Sequence, residues 1–192
     1  MYQAIVPQHV AAPTFTGMAS TTHLAYVSLG SNLGDREAQL HAAVDRLANL
    51  GRVTATSSIY ETEPVELTSQ PWFLNSVVSL ATKETVQDLL HQLLAIERDL
   101  GRDRLLSPKK GPRVIDIDIL LFDDLILQSP SLTIPHPAMH QRRFVLEPLA
   151  EIAPSARHPI LEKSVEEMLA DLPPGQVVRR LSNLTIPRSD RH

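Results

Sequence analysis

One apolar stretch, residues 111–121, most constrains what this chain can fold into. It reads GPRVIDIDILL, and an apolar run rich in β-branched residues is typical of a buried strand. Because side chains alternate along a strand, Asp116 and Asp118 share one face. The residues that then point the other way, into a core, are Ile115, Ile117, Ile119 and Leu121.

The two carboxylates have two explanations. Like charges this close repel unless a cation lies between them, and magnesium binds carboxylate oxygens while keeping positions for water and substrate phosphate. The alternative is structural: one Asp caps a turn and the other pairs with Arg113. The hydrophobic strand and a basic segment just before it favour the metal–phosphate hypothesis.

That basic segment carries six cations against two acids in a chain whose formal net charge is −4. The cations are Arg98, Arg102, Arg104, Lys109, Lys110 and Arg113, and the acids are Asp99 and Asp103. An acidic chain argues against a general nucleic-acid binder, whereas a local cationic stretch beside carboxylates suits a bound polyanion. Proline and glycine punctuation predicts that residues 103–112 form a loop able to fold over a phosphate.

The composition predicts one cytoplasmic domain. A chain of 192 residues without cysteine has no disulfides, and no apolar run is long enough to cross a bilayer, so no membrane partner is expected. The first Lys or Arg is Arg36, so we expect no signal-peptide n-region. We expect a disordered extension at 1–23, a folded domain at 24–172 and a flexible tail at 173–192.

The hydrophobic periods predict an α+β fold. Strands are expected at residues 24–29, 53–60, 72–81 and 116–122, and helices at 33–49 and 86–100. This order is the ferredoxin-like βαββαβ core, an antiparallel sheet with helices on one face. Residues 136–172 would add C-terminal helices at one edge and leave the other face free for a site.

Two further features have both a functional and a structural explanation, and a third, His136, has two functional ones. Residues 30–35, at a strand–helix junction, suit an anion, or are a plain cap with a turn glycine. Phe73 and Asn75 share a face that suits a flat heterocycle, or are an ordinary aromatic and a solvated amide. His136 lies in no zinc motif and suits a phosphate near Arg142. No P-loop or nucleophile-elbow signature is present.

Five segments together resemble the 6-hydroxymethyl-7,8-dihydropterin pyrophosphokinases of folate synthesis. They are residues 26–35, 58–65, 70–75, 111–120 and 135–144, within a similarity that covers roughly 24–172. The resemblance implies transfer of the pyrophosphoryl group of ATP to the pterin hydroxymethyl oxygen, with release of AMP. It also implies two magnesium ions bound with ATP, and we expect a monomer.

The resemblance also implies a role for each matching residue. Asp116 and Asp118 correspond to the magnesium ligands, and Arg102, Arg104 and Arg113 to catalytic arginines around the triphosphate. The pterin would lie between Phe73 and Phe144, beside Thr62, Pro64, Val65 and Asn75. ATP would contact Glu97, Ile119, Thr133, His136 and Arg142.

Some positions depart from the family pattern, and two rival functions stay open. The departures are Leu94, Lys110, Ser131 and Pro137, which concern nucleotide contacts and loop closure rather than the chemistry. One rival is a metal-dependent nucleotidyltransferase, which would release pyrophosphate. The other is a non-enzymatic ferredoxin-like binding module, for example an RNA binder, which acidic residues on the open sheet face disfavour.

Overall fold

The computed structural model describes residues 21–64, 69–102 and 111–185, and within them the fold is mixed α/β with an antiparallel sheet and four α-helices. The strands are β1 His23–Ser31, β2 Gly51–Thr56, β3 Ser58–Thr62, β4 Phe73–Thr82, β5 Asp116–Phe122, β6 Leu127–Gln128, β7 Thr133–Ile134 and β8 Val178–Asn183. The helices are α1 Arg36–Leu47, α2 Val86–Asp99, α3 Arg143–Ile152 and α4 Val165–Asp171, with a short 3-10 turn at Met139–Gln141. In this described part, no helix has the length and apolar character needed to span a membrane.

The main sheet has the strand order β5-β1-β4-β3-β8, and β2 pairs with β4 beside β3. All of these pairs are antiparallel. The register places Gly30 of the central strand β1 opposite Asn75 on one side and Asp116 on the other. The three residues therefore form one row across the sheet, on the face away from the main core.

Helices α1 and α2 cover one face of the main sheet, and each begins directly after a residue whose side chain caps it. The side chains of Asp35 and Thr85 accept the backbone N–H groups of Ala38 and Asp88, which satisfies one free donor at each helix start. The buried apolar residues of α1, α2 and this face of the sheet include Val27, Leu40, Val44, Val78, Leu89 and Leu93. The main core therefore lies where the sequence periodicity placed it.

The second face is not left free, contrary to expectation. Helices α3 and α4 pack on it around a second apolar cluster that includes Val77, Leu120, Met139, Leu146 and Leu149. Leu121 belongs to this cluster rather than to the main core, because the register between β1 and β5 shifts at Tyr26 and Val27 and interrupts the alternation. The open part of this face is the end that carries Asp116.

The expected flexible tail contains structure. Its residues Val178–Asn183 form β8, which pairs with β3 at the edge of the sheet. The Glu151 carboxylate joins α3 to both strands: it accepts the Ser58 backbone N–H at 2.8 Å, the Tyr60 hydroxyl at 3.0 Å and an Arg180 N–H at 2.8 Å. Nothing in the local sequence of this segment pairs it with a strand that ends more than a hundred residues earlier.

We expect Glu151→Gln to destabilise the protein by about 2 kcal/mol at neutral pH, because a carboxylate that accepts charge-assisted bonds is replaced by a weaker acceptor. Burial opposes ionisation of Glu151, but the bonds from Ser58 and Tyr60 and the charge of Arg180 outweigh it, so its pKa lies below the ordinary 4.5. The extra stability is therefore complete above pH 4.5 and is lost as the pH falls through the lowered pKa.

Urea denaturation of both proteins at pH 7 and at acid pH measures this difference. The matched control is Glu166→Gln, on the exposed side of α4, where the change should cost less than about 0.5 kcal/mol. Equal losses for the two variants at pH 7 would contradict the assignment of Glu151 as the residue that joins the two strands to α3.

Candidate active site

A cavity of about 310 Å³ opens on the second face of the sheet, beside Gly30. Strands β3, β4 and β5, the segment before α3 and the start of α3 supply its walls. It brings together ten of the residues singled out from the sequence, namely Thr62, Pro64, Phe73, Asn75, Arg113, Asp116, Asp118, His136, Arg142 and Phe144. Residues spread over more than eighty positions of the chain thus face one space.

The carboxylate of Asp116 pairs with two arginines. Its Oδ1 accepts from Arg102 and its Oδ2 from Arg113, while its side chain keeps 20% exposure toward the cavity. Burial opposes ionisation of Asp116, but the two guanidinium charges and their hydrogen bonds outweigh it and hold its pKa below the usual value. The structural alternative from the sequence, a pair with Arg113, is thus what the structure shows for Asp116.

A buried glutamate holds Arg102 in place. Glu97 is 1% exposed, pairs with Arg102 and accepts the backbone N–H of Ile117 at 2.8 Å. This bond fastens the end of α2 to β5 between the two aspartates. Glu97 lines neither of the cavities described in this section, so its position here is that of a support for Arg102.

The turn after β1 holds Arg113. Asn32 is 1% exposed; its Oδ1 accepts the Arg113 backbone N–H at 2.7 Å, and its backbone N–H donates to the Arg113 carbonyl at 3.0 Å. Its Nδ2 donates to Gln70 and to the Pro71 carbonyl. Asp35 caps α1, so residues 30–35 cap a helix and hold the Arg113 backbone in place, in line with the structural explanation of this segment.

The cavity has an aromatic and amide lining. Phe73 and Phe144 both line it, and each carries an arginine over its ring: Arg113 lies 5.9 Å from the Phe73 centroid and Arg142 5.6 Å from that of Phe144. Asn75, which is 4% exposed, donates from Nδ2 to the Thr62 hydroxyl at 2.7 Å. This hydrogen bond fixes the orientation of the amide at the cavity floor.

The imidazole of His136 is neutral at pH 7. Burial, and then the charge of Arg142, lowers its pKa to about 4. Its Nδ1 accepts the Ala138 backbone N–H at 3.2 Å, so the ring proton of the neutral form lies on Nε2. His136 is therefore a hydrogen-bond donor through Nε2, not a resident cation.

A second cavity of about 290 Å³ adjoins the first, and Asp118 and His136 line both. Ile119 and Thr133 line it, as the resemblance implies, and so do three of the positions that depart from the family pattern, Leu94, Ser131 and Pro137.

Arg104 and Val65, also expected at the site, lie outside the described residues. Arg102 lines neither cavity but reaches the site through Asp116.

Sequence reasoning missed one whole wall of the first cavity. The residues of this wall are Leu172, Pro173, Pro174 and Gln176. The Pro-Pro-Gly run at 173–175 predicts only a turn, and no periodic or motif signal indicates what that turn approaches.

The donor set suits magnesium better than zinc. In the described ranges, no group of three or more His, Cys, Asp and Glu side chains is placed to hold a metal. Two carboxylates at a cavity lined by arginines instead fit a hard ion that completes its coordination with water and substrate phosphate. Asp116 and Asp118 would hold such an ion.

Comparison with known sequences agrees with this geometry. The family model of 7,8-dihydro-6-hydroxymethylpterin-pyrophosphokinase (HPPK) matches residues 26–154. The chain belongs to this family. It is 45% identical to 2-amino-4-hydroxy-6-hydroxymethyldihydropteridine pyrophosphokinase of Methylorubrum extorquens over 81% of this chain and 97% of that protein. The Bacillus subtilis protein of the same name is 47% identical over 68% of this chain and 78% of its own length.

Longer relatives and solved structures extend the comparison. The folic acid synthesis protein fol1 of Schizosaccharomyces pombe is 40% identical over 83% of this chain, but the match spans only 22% of that protein. A crystal structure of Plasmodium falciparum HPPK-DHPS with pterin and p-hydrobenzoate has a TM-score of 0.61 at 18% identity, covering 78% of this chain and 44% of that one. The structural likeness shows the shared fold.

The close approach of Asn75 to Gly30, in the row that also contains Asp116, leads to a prediction about stability. A Cβ added at Gly30 would meet the Asn75 Oδ1 at 3.0 Å, tighter than most such contacts. Gly30→Ala should therefore lower the free energy of unfolding by about 1–3 kcal/mol. In an Asn75→Ala background the contact is absent, and most of that cost should disappear.

Urea denaturation of the wild type, both single variants and the double variant completes this cycle. An equal cost of Gly30→Ala with and without the Asn75 amide would mean that the close approach is not what requires glycine here. The side-chain amide resonances of Asn75 in an NMR spectrum of Gly30→Ala report the same contact directly.

Proposed function

We propose that this chain transfers the pyrophosphoryl group of ATP to the hydroxymethyl oxygen of 6-hydroxymethyl-7,8-dihydropterin, a step of folate synthesis. Family membership and the names of the two bacterial relatives support this proposal. The single structural observation that carries it is the pair of adjoining cavities joined at Asp118 and His136. One cavity suits a flat polar ring, and the other suits a nucleoside.

The pterin would occupy the first cavity. Phe73 and Phe144 offer two aromatic faces for stacking, and the buried Asn75–Thr62 pair offers polar groups to the edge of the ring. Pro64 belongs to the same wall. Because Asn75 and Asp116 flank Gly30 in one row, a ring at Asn75 would bring its substituent toward the carboxylates.

ATP would occupy the second cavity with its phosphates directed at the junction. Ile119 and Thr133 supply apolar and polar contacts for the nucleoside. His136 and Arg142 lie where the phosphates would pass, and neutral His136 donates through Nε2 without adding a charge. Leu94, Ser131 and Pro137 make this cavity the place where nucleotide contacts differ from the family pattern.

Asp116 and Asp118 are the proposed ligands of magnesium, and we propose two ions. Magnesium, when bound with ATP, supplies neutralisation of the phosphate charge and lowers the cost of developing negative charge on the leaving group. Each oxygen of the Asp116 carboxylate keeps a second lone pair for an ion beside its bond to Arg102 or Arg113. We propose that these two guanidinium groups and Arg104 contact the triphosphate.

The reaction is a single in-line displacement. The hydroxymethyl oxygen attacks the β-phosphorus, a new oxygen–phosphorus bond forms, and the bond from the β-phosphorus to the oxygen shared with the α-phosphate breaks. AMP leaves with that electron pair, and the hydroxyl proton passes to water or to the Asp118 carboxylate. Phe73 and Phe144, the aromatic clamp of the pterin, contribute mainly by positioning, and the arginines contribute mainly by charge stabilisation.

The ferredoxin-like topology of the core is part of the same proposal. The strand order β5-β1-β4 followed by β3 and β2, with α1 and α2 on one face, supports a ferredoxin-like core in residues 24–172. The monomeric state expected from the sequence belongs to the same proposal.

The test is an assay with ATP, magnesium and the dihydropterin. We expect AMP and the pterin diphosphate in equal amounts, whereas a nucleotidyltransferase would release pyrophosphate and a binding module would release neither. Asp116→Asn should reduce kcat by at least a hundredfold, because it removes a carboxylate ligand without changing side-chain size.

The matched control is Asp124→Asn, an exposed residue just beyond β5, which should keep full activity. Retention of more than about a tenth of kcat by Asp116→Asn would reject the metal assignment. Circular dichroism of each variant shows that the fold is intact.

A second prediction separates the two cavities. Phe144→Ala should weaken pterin binding roughly tenfold, since stacking on one aromatic face contributes about 1–3 kcal/mol in nucleic-acid complexes. The affinity for magnesium-ATP should stay within twofold, because Phe144 does not line the second cavity. Calorimetric titration of each ligand measures both values.

Trp72→Ala is the control, because Trp72 is an aromatic residue of the same region that does not line the first cavity. A Phe144→Ala protein that loses ATP and keeps the pterin would mean that the two ligands are assigned to the wrong cavities.

A further inference from the structure

Residues 172–177 close one side of the first cavity. Leu172, Pro173, Pro174 and Gln176 all line it. The family model matches only residues 26–154, so this wall comes from a part of the chain beyond the matched segment. The segment links α4 to the edge strand β8 and contacts Arg143 and Phe144 at the start of α3.

The Gln176 side chain bridges two walls of the cavity. Its Oε1 accepts the Phe144 backbone N–H at 3.3 Å, and its Nε2 donates to the Glu63 carbonyl at 3.5 Å. Helix α3 has no capping bond from the side chain of its own N-cap residue, Arg142. Gln176 therefore supplies from a distance the acceptor that a free N–H at a helix start requires.

Other contacts hold the segment independently of that amide. The Val177 backbone N–H donates to Glu63 Oε1 at 2.9 Å, and the Glu63 N–H donates to the Val177 carbonyl at 3.4 Å. Arg143 Nη2 donates to the carbonyls of Leu172 and Pro173 at 3.2 and 3.4 Å. Loss of the Gln176 amide would thus leave the wall in place while freeing the link to Phe144.

We propose that Gln176 is a positioning residue for the pterin, which fixes the distance between Phe144 and the chain just after β3. This inference rests on the proposed function, because it concerns the aromatic clamp of that function. Stacking depends steeply on separation: a gap of about 0.5–1 Å forfeits a quarter to a half of the dispersion attraction. Phe73, the other aromatic residue of the stack, pairs with Thr62, the residue before Glu63. A residue that ties the Phe144 backbone to Glu63 therefore sets the separation of the two aromatic side chains.

The test is Gln176→Met, which keeps the length of the side chain and removes both hydrogen bonds. The pterin is titrated calorimetrically in the presence of magnesium and a non-hydrolysable ATP analogue, and the analogue is titrated alone. We expect the Kd for the pterin to rise roughly fivefold, because a wider gap at Phe144 loses part of the stacking attraction, and the Kd for the analogue to stay within twofold. Val177→Ala is the control, because the Val177 contacts with Glu63 are made by its backbone.

Two results would overturn the inference. One is a pterin Kd within twofold of wild type in a folded Gln176→Met protein. The other is a parallel loss of affinity for both ligands with a lowered Tm, which marks a general structural role. If Gln176→Met does not fold, Gln176→Ala is measured in the same way. A wild-type protein that fails to bind the pterin at all would reject the proposed function instead.

Discussion

The site depends on the position of β1 between β4 and β5. Because Gly30 pairs with Asn75 on one side and with Asp116 on the other, a buried amide and a carboxylate lie one strand spacing to either side of a residue without a side chain. A side chain at Gly30 would crowd this row, since its Cβ would lie only 3.0 Å from Asn75 Oδ1. The cavity is therefore a consequence of the sheet register that places these three residues in one row.

The charge arrangement at this row is balanced by the protein itself. Arg102 and Arg113 neutralise Asp116, Glu97 fixes Arg102, and Asn32 fixes the backbone of Arg113. Leaving a half-buried carboxylate without partners would cost several kcal/mol, so the arginines stabilise the site before any ligand arrives. Under the proposed function, the same groups would complement a magnesium–triphosphate complex.

The sequence predicts the features of the fold and of the site that follow from local periodicity. Alternation in β4 and β5 correctly separates Phe73 and Asn75 from Leu74 and Val78, and places Asp116 and Asp118 on one face. The start of α1 was expected at 33, but the helix begins at Arg36 because Asp35 caps it. Periodicity fails where the strand is irregular: Leu121 changes face because the pairing register shifts, and a register shift is a property of two strands rather than of one sequence window.

What the sequence does not predict is contact between distant segments. Glu151 unites α3, β3 and β8 through bonds that span up to 93 residues, and Gln176 reaches Glu63 across 113 residues. Neither residue lies in a pattern with a period, and an isolated Glu or Gln on a polar stretch is ordinarily a solvated side chain. The second face of the sheet was expected to stay open for the same reason, because α3 and α4 are amphipathic but their sequences do not say which surface they cover. The C-terminal segment thus completes the cavity by tertiary contacts alone, and its contribution becomes visible only in three dimensions.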